Sequence, residues 1–283
     1  MAQSEAETRA LPMMRPNAAR CAVATALIVF SAARAGAQGG PPDAHAAQPE
    51  RPTVATHAGT VAAGWAEIEA GIEWDRYADA SHGVAPILLK IGIAPRVQLS
   101  LQESGVWTAG GSGSGSGDVS IGVKWRAVER APVLADFAIL PSIKFATGSV
   151  ERGTGTGTTD VNLLAISSRR AGAVTIDLNA GYTRRSGDGR VAPRQGGVWT
   201  ASFGGPAAGR LGWCAEIYGY PSIGIDGGDS IVALLAGPTF ELQSSIVFDA
   251  GFIAPLAGPQ PRAVYAGVTW NVGRLWTAPR HGG

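Results

Sequence analysis

The chain has 283 residues and a formal net charge of +1, and 45% of its residues are hydrophobic. Because the chain is so nearly neutral, we predict no nucleic-acid partner. Its 40 glycines favour an all-β protein with many turns, and its two cysteines exclude a fold that depends on several disulfide bonds.

The first 37 residues show the three parts of a secretory signal peptide. Arg15 and Arg20 precede the apolar run CAVATALIVFSAA, and the small residues AGA stand directly before Gln38. The apolar run is too short for a membrane helix, so we predict a signal peptide over residues 1–37. Its removal leaves 19 basic and 20 acidic side chains and one cysteine, Cys214, which we interpret as an inert thiol.

Residues 38–60 are rich in proline, alanine and glycine and predict an irregular N-terminal segment. A different pattern begins at residues 66–75, AEIEAGIEWD, where apolar residues alternate with acids or glycine. This period of two is that of a strand, whose side chains alternate between its two faces. Ile68, Ile72 and Trp74 therefore share one face, and the acids share the other.

The same alternation recurs along the chain and predicts about twelve strands. They are placed at residues 66–75, 84–94, 97–103, 118–127, 136–145, 161–167, 174–183, 198–204, 211–218, 230–236, 246–252 and 265–272. Long polar or glycine-rich connectors alternate with short ones. One end of the sheet therefore carries large loops and the other carries tight turns, which is typical of outer-membrane barrels.

A soluble barrel would show the same alternation, so the surroundings must be inferred from other features. The only three lysines, Lys90, Lys124 and Lys144, all fall on the polar face. The apolar face is rich in Ile, Val, Leu and Ala, which would fill a wide soluble interior poorly. Its aromatic residues lie toward strand ends, as in the girdles at membrane interfaces: Trp74, Trp125, Phe145, Tyr182, Trp199, Trp213 and Trp270.

We therefore predict a transmembrane antiparallel up-and-down β-barrel over residues 61–273, with lipid outside and a polar lumen, followed by a tail at 274–283. Strand parity also puts Cys214 on the polar face. The candidate lumen-lining residues are Glu67, Glu69, Glu73, Lys90, Lys124, Arg126, Asp136, Lys144, Asp177, Asn179 and Asp249. If neighbouring strands form hairpins, Lys90 lies across from residues 69–73 and Lys124 lies near Asp136.

Residues 118–188 resemble the outer-membrane transporter family named for meta-pathway phenol degradation. The resemblance is carried by GDVSIGVKWR, ILPSIKFATGS, GTGTTDVNLLAIS and VTIDLNAGYTRRSGDG. It implies a barrel in the outer membrane of a Gram-negative bacterium that passes small molecules, and the family name suggests aromatic ones. The stretch YAGVTWNV also resembles the C-terminal signal that the barrel assembly machinery reads, which implies that machinery as a partner.

The remaining motifs predict no catalytic site and no phosphate-binding or metal-binding site. The tracts GSGSGSGD and GTGTGTTD lack the lysine of a phosphate-binding loop and are interpreted as flexible loop tips. His82 is the one histidine in the barrel region, since His45 and His57 precede it and His281 lies in the tail. We therefore expect no catalytic residues, no metal site, no cofactor and no enzymatic activity.

The sequence thus favours a channel or transporter that passes small solutes across the outer membrane, with the bilayer and the solute as partners. The alternative is a non-conducting barrel that acts in structure or recognition through its extracellular loops. About twelve strands are compatible with either an open or a plugged lumen.

Overall fold

In the computed structural model, the structure describes residues 43–77, 81–109, 113–133, 135–189, 193–223 and 229–277. The predicted signal peptide and His281 lie outside these residues. The strands are β1 (Trp65–Arg76), β2 (Ser81–Ala94), β3 (Val97–Ala109), β4 (Ser114–Ser116), β5 (Val119–Ala131), β6 (Ala135–Phe145), β7 (Asp160–Ala171), β8 (Val174–Arg185), β9 (Gln195–Ala208), β10 (Leu211–Tyr220), β11 (Ile231–Gln243), β12 (Ile246–Ala257) and β13 (Arg262–Arg274).

The twelve long strands form one closed antiparallel barrel. Each pairs with its neighbours in the chain, β3 pairs with β5, and β13 pairs with β1 to close the ring. The short β4 adds only to the end of β3. A closed ring leaves no unpaired sheet edge, as a sheet in hydrocarbon requires. The all-β, twelve-stranded fold predicted from the alternation is therefore confirmed.

The two faces of the wall are chemically opposite. Ile72 and Val264 are each 59% exposed, whereas Glu67 and Lys90 are fully buried. This is the inverse of a soluble barrel, because apolar side chains cover the outside and charged ones are enclosed. The seven aromatic residues predicted for the girdles are all exposed on the outside. Such a surface is matched to a bilayer, and it places the chain in the outer membrane.

Turn chemistry explains the alternation of short and long connectors. Gly172 and Gly209 have φ values of 63° and 57° in the tight turns that follow β7 and β9. Glycine adopts this left-handed conformation without steric cost, so these strands can reverse within two residues. The strand ends that the longer connectors join all lie at the opposite end of the barrel, as predicted.

The two glycine-rich tracts make hydrogen bonds with neighbouring parts of the barrel. Part of the Gly/Ser tract forms β4, and the Gly117 amide donates to the Ser104 carbonyl at 2.6 Å. The Asp118 carboxylate accepts hydrogen bonds from the amides of Gly148 and Thr156, each at 3.0 Å. Asp118 and β3 therefore bind the main chain of part of each tract, and the flexibility of these loop tips stays a prediction. No helix among the described residues is long and apolar enough to cross a membrane.

Candidate functional site in the barrel interior

The irregular N-terminal segment, residues 43–64, lies inside the barrel and is called the plug below. Its described residues make hydrogen bonds or ion pairs with side chains of β1, β2, β3, β5, β7, β8, β10, β12 and β13. These strands are spread around the whole ring. Only a segment within the lumen can touch all of them.

The plug enters and leaves at the end with the short turns. Its first arm begins beside the β11–β12 turn, where the Ala47 amide donates to the Ser244 carbonyl at 2.7 Å. The chain turns back at residues 53–56, which bind near the middle of β8 and β10. The second arm descends to Ala63, which bridges to Gly92 of β2 before β1 begins.

Wall carboxylates hold the plug mainly by its main chain. Glu69 accepts the amides of Glu50 and Arg51 on its two oxygens, at 2.7 and 2.9 Å. Glu216 accepts the amides of Val54 and Ala55 in the same way, at 2.8 and 2.7 Å. The carboxylates satisfy amides that have no sheet partner, and such charge-assisted hydrogen bonds are stronger than neutral ones.

Wall amides and hydroxyls continue this pattern along the second arm. Asn179 accepts from the Thr56 amide at 2.8 Å and donates to the Thr56 carbonyl at 2.9 Å. The Ala58 amide donates to Ser168 Oγ at 2.7 Å, and the Val61 amide donates to Gln98 Oε1 at 3.0 Å. Hydrogen bonds to the wall thus continue along the second arm, to β8, then β7 and finally β3.

Two fully buried lysines lie between the plug and the wall. Lys90 Nζ is 2.6 Å from Glu67 and 2.5 Å from Glu69. Lys124 Nζ is 2.5 Å from Glu50 of the plug and also donates to Thr56 Oγ1 at 2.9 Å. A buried ammonium ion is costly unless it is paired, so Glu50 is the acid that Lys124 requires in the plugged state.

The charges around Glu50 and His57 affect their titration. Burial acts to raise the pKa of Glu50, but the ammonium groups of Lys124 and Lys90 outweigh burial and hold this pKa well below its usual range. Burial together with the Lys124 ammonium lowers the pKa of His57 to about 3. The plugged state therefore holds Glu50 as a carboxylate and His57 as a neutral imidazole at neutral pH.

The candidate lumen-lining residues lie in three places. Six of them contact the plug: Glu67, Glu69, Lys90, Lys124, Asn179 and Asp249. Asp249 does so through a 3.4 Å ion pair with Arg51. Lys144 pairs with Asp118 and Asp160 at the long-loop end, at 2.7 and 3.3 Å. Arg126 pairs with Glu129 at 2.8 Å, and Asp136 accepts from the Arg130 amide, both near the short-turn end.

The two remaining candidates also make no described hydrogen bond with the plug, and one predicted pair does not form. Asp177 accepts from Ser168 Oγ at 2.5 Å, and the partly exposed Glu73 carboxylate lies toward the long-loop end of β1. The predicted proximity of Lys124 and Asp136 was wrong. A bulge between Arg126 and Val128 shifts the β5–β6 register, and Asp136 lies across from Ser168 of β7.

Several residues that join the plug to the wall escaped the sequence analysis. Glu50 lies in a segment without periodicity, and Glu216 lies in a strand whose alternation is weak. Gln98 and Ser168 are common residues on the polar face of a strand. The acid in the middle of β10 was the one available signal, since a mid-strand carboxylate that faces the lumen needs a partner.

Cavities lie on both sides of the plug. One of about 380 Å³ is lined by residues 50–56 of the plug together with Pro86, Leu88, Gln102, Leu140 and Leu164. An adjoining one of about 220 Å³ is lined by Ser120, Ser142 and Asn162 among others. At the short-turn end, cavities of about 440 and 660 Å³ lie against residues 43–49 and 59–63. The plug thus separates the two ends of the lumen.

Comparison with known proteins identifies the family. The structure is similar to an outer membrane channel from Pseudomonas putida F1, with a TM-score of 0.55 and 12% identity over 82% of this chain and 99% of that chain. A KdgM porin in complex with disordered oligogalacturonate matches with a TM-score of 0.47 and 10% identity, over 72% of this chain and 98% of the porin. No curated protein matches the sequence. The family model described as "MetA-pathway of phenol degradation" matches residues 50–251, and the chain belongs to that family.

Proposed function

We propose that the protein is an outer-membrane channel for small solutes that its own plug closes in this conformation. The observation that carries the proposal is the pair of cavities on either side of the plug. Side chains alone fill the interior of a barrel of about eight strands, and a ring of twelve strands encloses a wider space. Here a separate length of main chain divides the interior, and the space above and below it is unfilled.

The cavity on the long-loop side indicates the class of solute. Leu88, Leu140 and Leu164 present apolar surface there, while Gln102 provides a hydrogen-bonding group. Such a site suits a small molecule with an apolar body and one polar group. The family's description, which refers to phenol degradation, agrees with an aromatic alcohol as the solute. We therefore extend the proposal to small aromatic or otherwise hydrophobic solutes.

Conductance in planar bilayers tests the channel function. In the linker variant, residues 48–58 are replaced by a Gly/Ser chain of the same length. We expect wild-type protein to conduct rarely and the linker variant to show sustained single-channel currents. Asp43→Ala serves as the control, because Asp43 lies in the plug but pairs with neither buried lysine. If every folded variant is silent, the protein is a non-conducting barrel, and a role of its loops in recognition becomes the better proposal.

The solute class is tested in the same bilayers. A molecule that resides in the cavity interrupts the ion current of the linker variant. We expect phenol to do so at a lower concentration than glycerol, and Leu140→Asn to reduce this difference. If phenol and glycerol interrupt the current at equal concentrations, the aromatic preference is contradicted but the channel function is not.

A further inference from the structure

The lumen wall binds the plug mainly through its main-chain amides and carbonyls, groups that peptides of many sequences share. The amides of Gln48, Glu50 and Arg51 bind the wall carboxylates of β1, and those of Val54 and Ala55 bind Glu216. Wall groups also reach plug carbonyls. Lys90 donates to the Gln48 carbonyl at 2.5 Å, and Lys124 donates to the His57 carbonyl at 3.0 Å.

The side chains of the plug contribute few contacts of their own with the wall. The main ones are the pairing of Glu50 with Lys124 and Lys90 and the longer pairing of Arg51 with Asp249. Many other plug positions are alanine, proline or threonine, whose small side chains let the main chain approach the wall. Recognition therefore depends on the main chain of the plug and on one acid.

We infer that the lumen wall is a binding site for a peptide main chain that carries one acid, and that residues 48–58 are its exchangeable resident ligand. The site has four parts along the peptide. They are Glu67 with Glu69, then Glu216, then Asn179 with Ser168, and the two lysines that bind the acid.

This inference rests on the proposed channel function for its biological meaning, since release of the ligand would open the lumen. The binding site itself is independent of conductance. A peptide supplied from outside should occupy a wall from which the resident segment has been removed. The tethered segment of wild-type protein should exclude it, because tethering gives the resident ligand a millimolar effective concentration.

The test uses the full-length linker variant in detergent and a fluorescein-labelled synthetic peptide with the sequence of residues 47–60. Retention of heat-modifiable gel mobility shows that the variant is folded. We expect saturable binding in fluorescence anisotropy, and at least tenfold weaker binding to wild-type protein. If the linker variant does not fold, full-length Glu50→Ala takes its place, since it keeps the wall and weakens only the resident segment.

Methylated peptides then identify the contacts. N-methylation at Arg51 or Ala55 removes a donor to Glu69 or Glu216, and each should lower the affinity at least tenfold. N-methylation at Thr53 is the matched control, because that amide makes no hydrogen bond within the described part of the chain. It should change the affinity by less than about threefold. Glu50→Ala in the peptide should also weaken binding at least tenfold.

The outcomes separate this inference from the proposed function. A folded barrel that binds the peptide but never conducts would refute the channel and support the binding site. A linker variant that conducts but does not bind the peptide would refute the binding site and leave the proposed channel function intact. Equal affinities for all the methylated peptides would also overturn the inference, because they would show that the main chain is not what the wall recognises.

Discussion

The outer face of the wall and the plug reach their positions by different physical routes. Outer residues such as Val123 and Leu163 face lipid because strand geometry turns alternate side chains outward. The plug has no such period, and its main chain is held by side chains that belong to other strands. The outer face therefore follows from local sequence, whereas the plug depends on contacts across the whole barrel. A change in the plug should accordingly affect opening, and a change in the outer face should affect the stability of the barrel.

The largest effect expected is on the plug rather than on the barrel. Glu50→Ala leaves Lys124 buried without a carboxylate, which costs about 3–5 kcal/mol in the plugged state. In the open state water can solvate the ammonium, so the change should favour opening. We expect the open probability in planar bilayers to rise at least a hundredfold, with heat-modifiable mobility unchanged.

The double variant Glu50→Ala with Lys124→Met provides the control. It removes both charges, and replacement of a buried ion pair by apolar groups is often close to neutral. The double variant should close again toward the wild-type level. If it stays open, Glu50 holds the plug through something other than its pairing with Lys124.

A charge placed on the outer face should instead destabilise the barrel. Val123→Lys puts an ammonium group into lipid near the middle of β5, at a cost of about 2–4 kcal/mol of barrel stability. Ser120→Lys on the same strand is the matched change, because Ser120 lines a cavity inside. Urea unfolding in lipid vesicles should show destabilisation only for Val123→Lys. Equal destabilisation by both would mean that the two faces are not in different solvents.

These two regions also show what the sequence can and cannot predict. The twelve strands, the outward aromatic residues and the enclosed Lys90 follow from alternation alone. The same reasoning paired Lys124 with Asp136, because it could draw only on neighbouring strands. The actual partner, Glu50, is 74 residues away and lies in a segment whose conformation the wall imposes.

The acids on the inner face carried part of the missing information. Glu67, Glu69 and Glu216 are buried, and the two lysines buried beside the plug do not balance all three. The remaining partners are main-chain amides, which every residue except proline possesses. A pattern search cannot identify such partners, because any irregular segment could supply them.

The tip of the plug offers a finer test of main-chain binding. Glu216→Gln keeps the size of the side chain but leaves only one oxygen to accept from Val54 and Ala55. Loss of one charge-assisted hydrogen bond costs about 1.5–3 kcal/mol, so open probability should rise at least tenfold. Glu73→Gln is the control, since Glu73 makes no hydrogen bond with the described plug residues. An equal response to both would indicate that lumen charge, not amide binding, governs closure.

The smallest effect expected is a dependence on pH through His57. Its pKa is about 3 in the plugged state, where Lys124, Lys90 and Glu50 surround the half-buried ring and Gln48 O lies 3.3 Å from Nε2. In the released plug the pKa returns to about 6.5. The released form therefore takes up a proton as the pH falls below about 6.5, while the plugged form does not. The contribution of His57 to closure is complete above that pH and is lost as the pH falls toward 3.

Between pH 7.5 and 5.5 the open probability should rise by up to about tenfold. Glu50, with its lowered pKa, adds to this trend only below about pH 4.5, so the two groups titrate in separate ranges. Planar-bilayer recordings at the two pH values, with His57→Gln as the comparison, measure the effect. A variant that keeps the full pH response would show that His57 is not the group responsible.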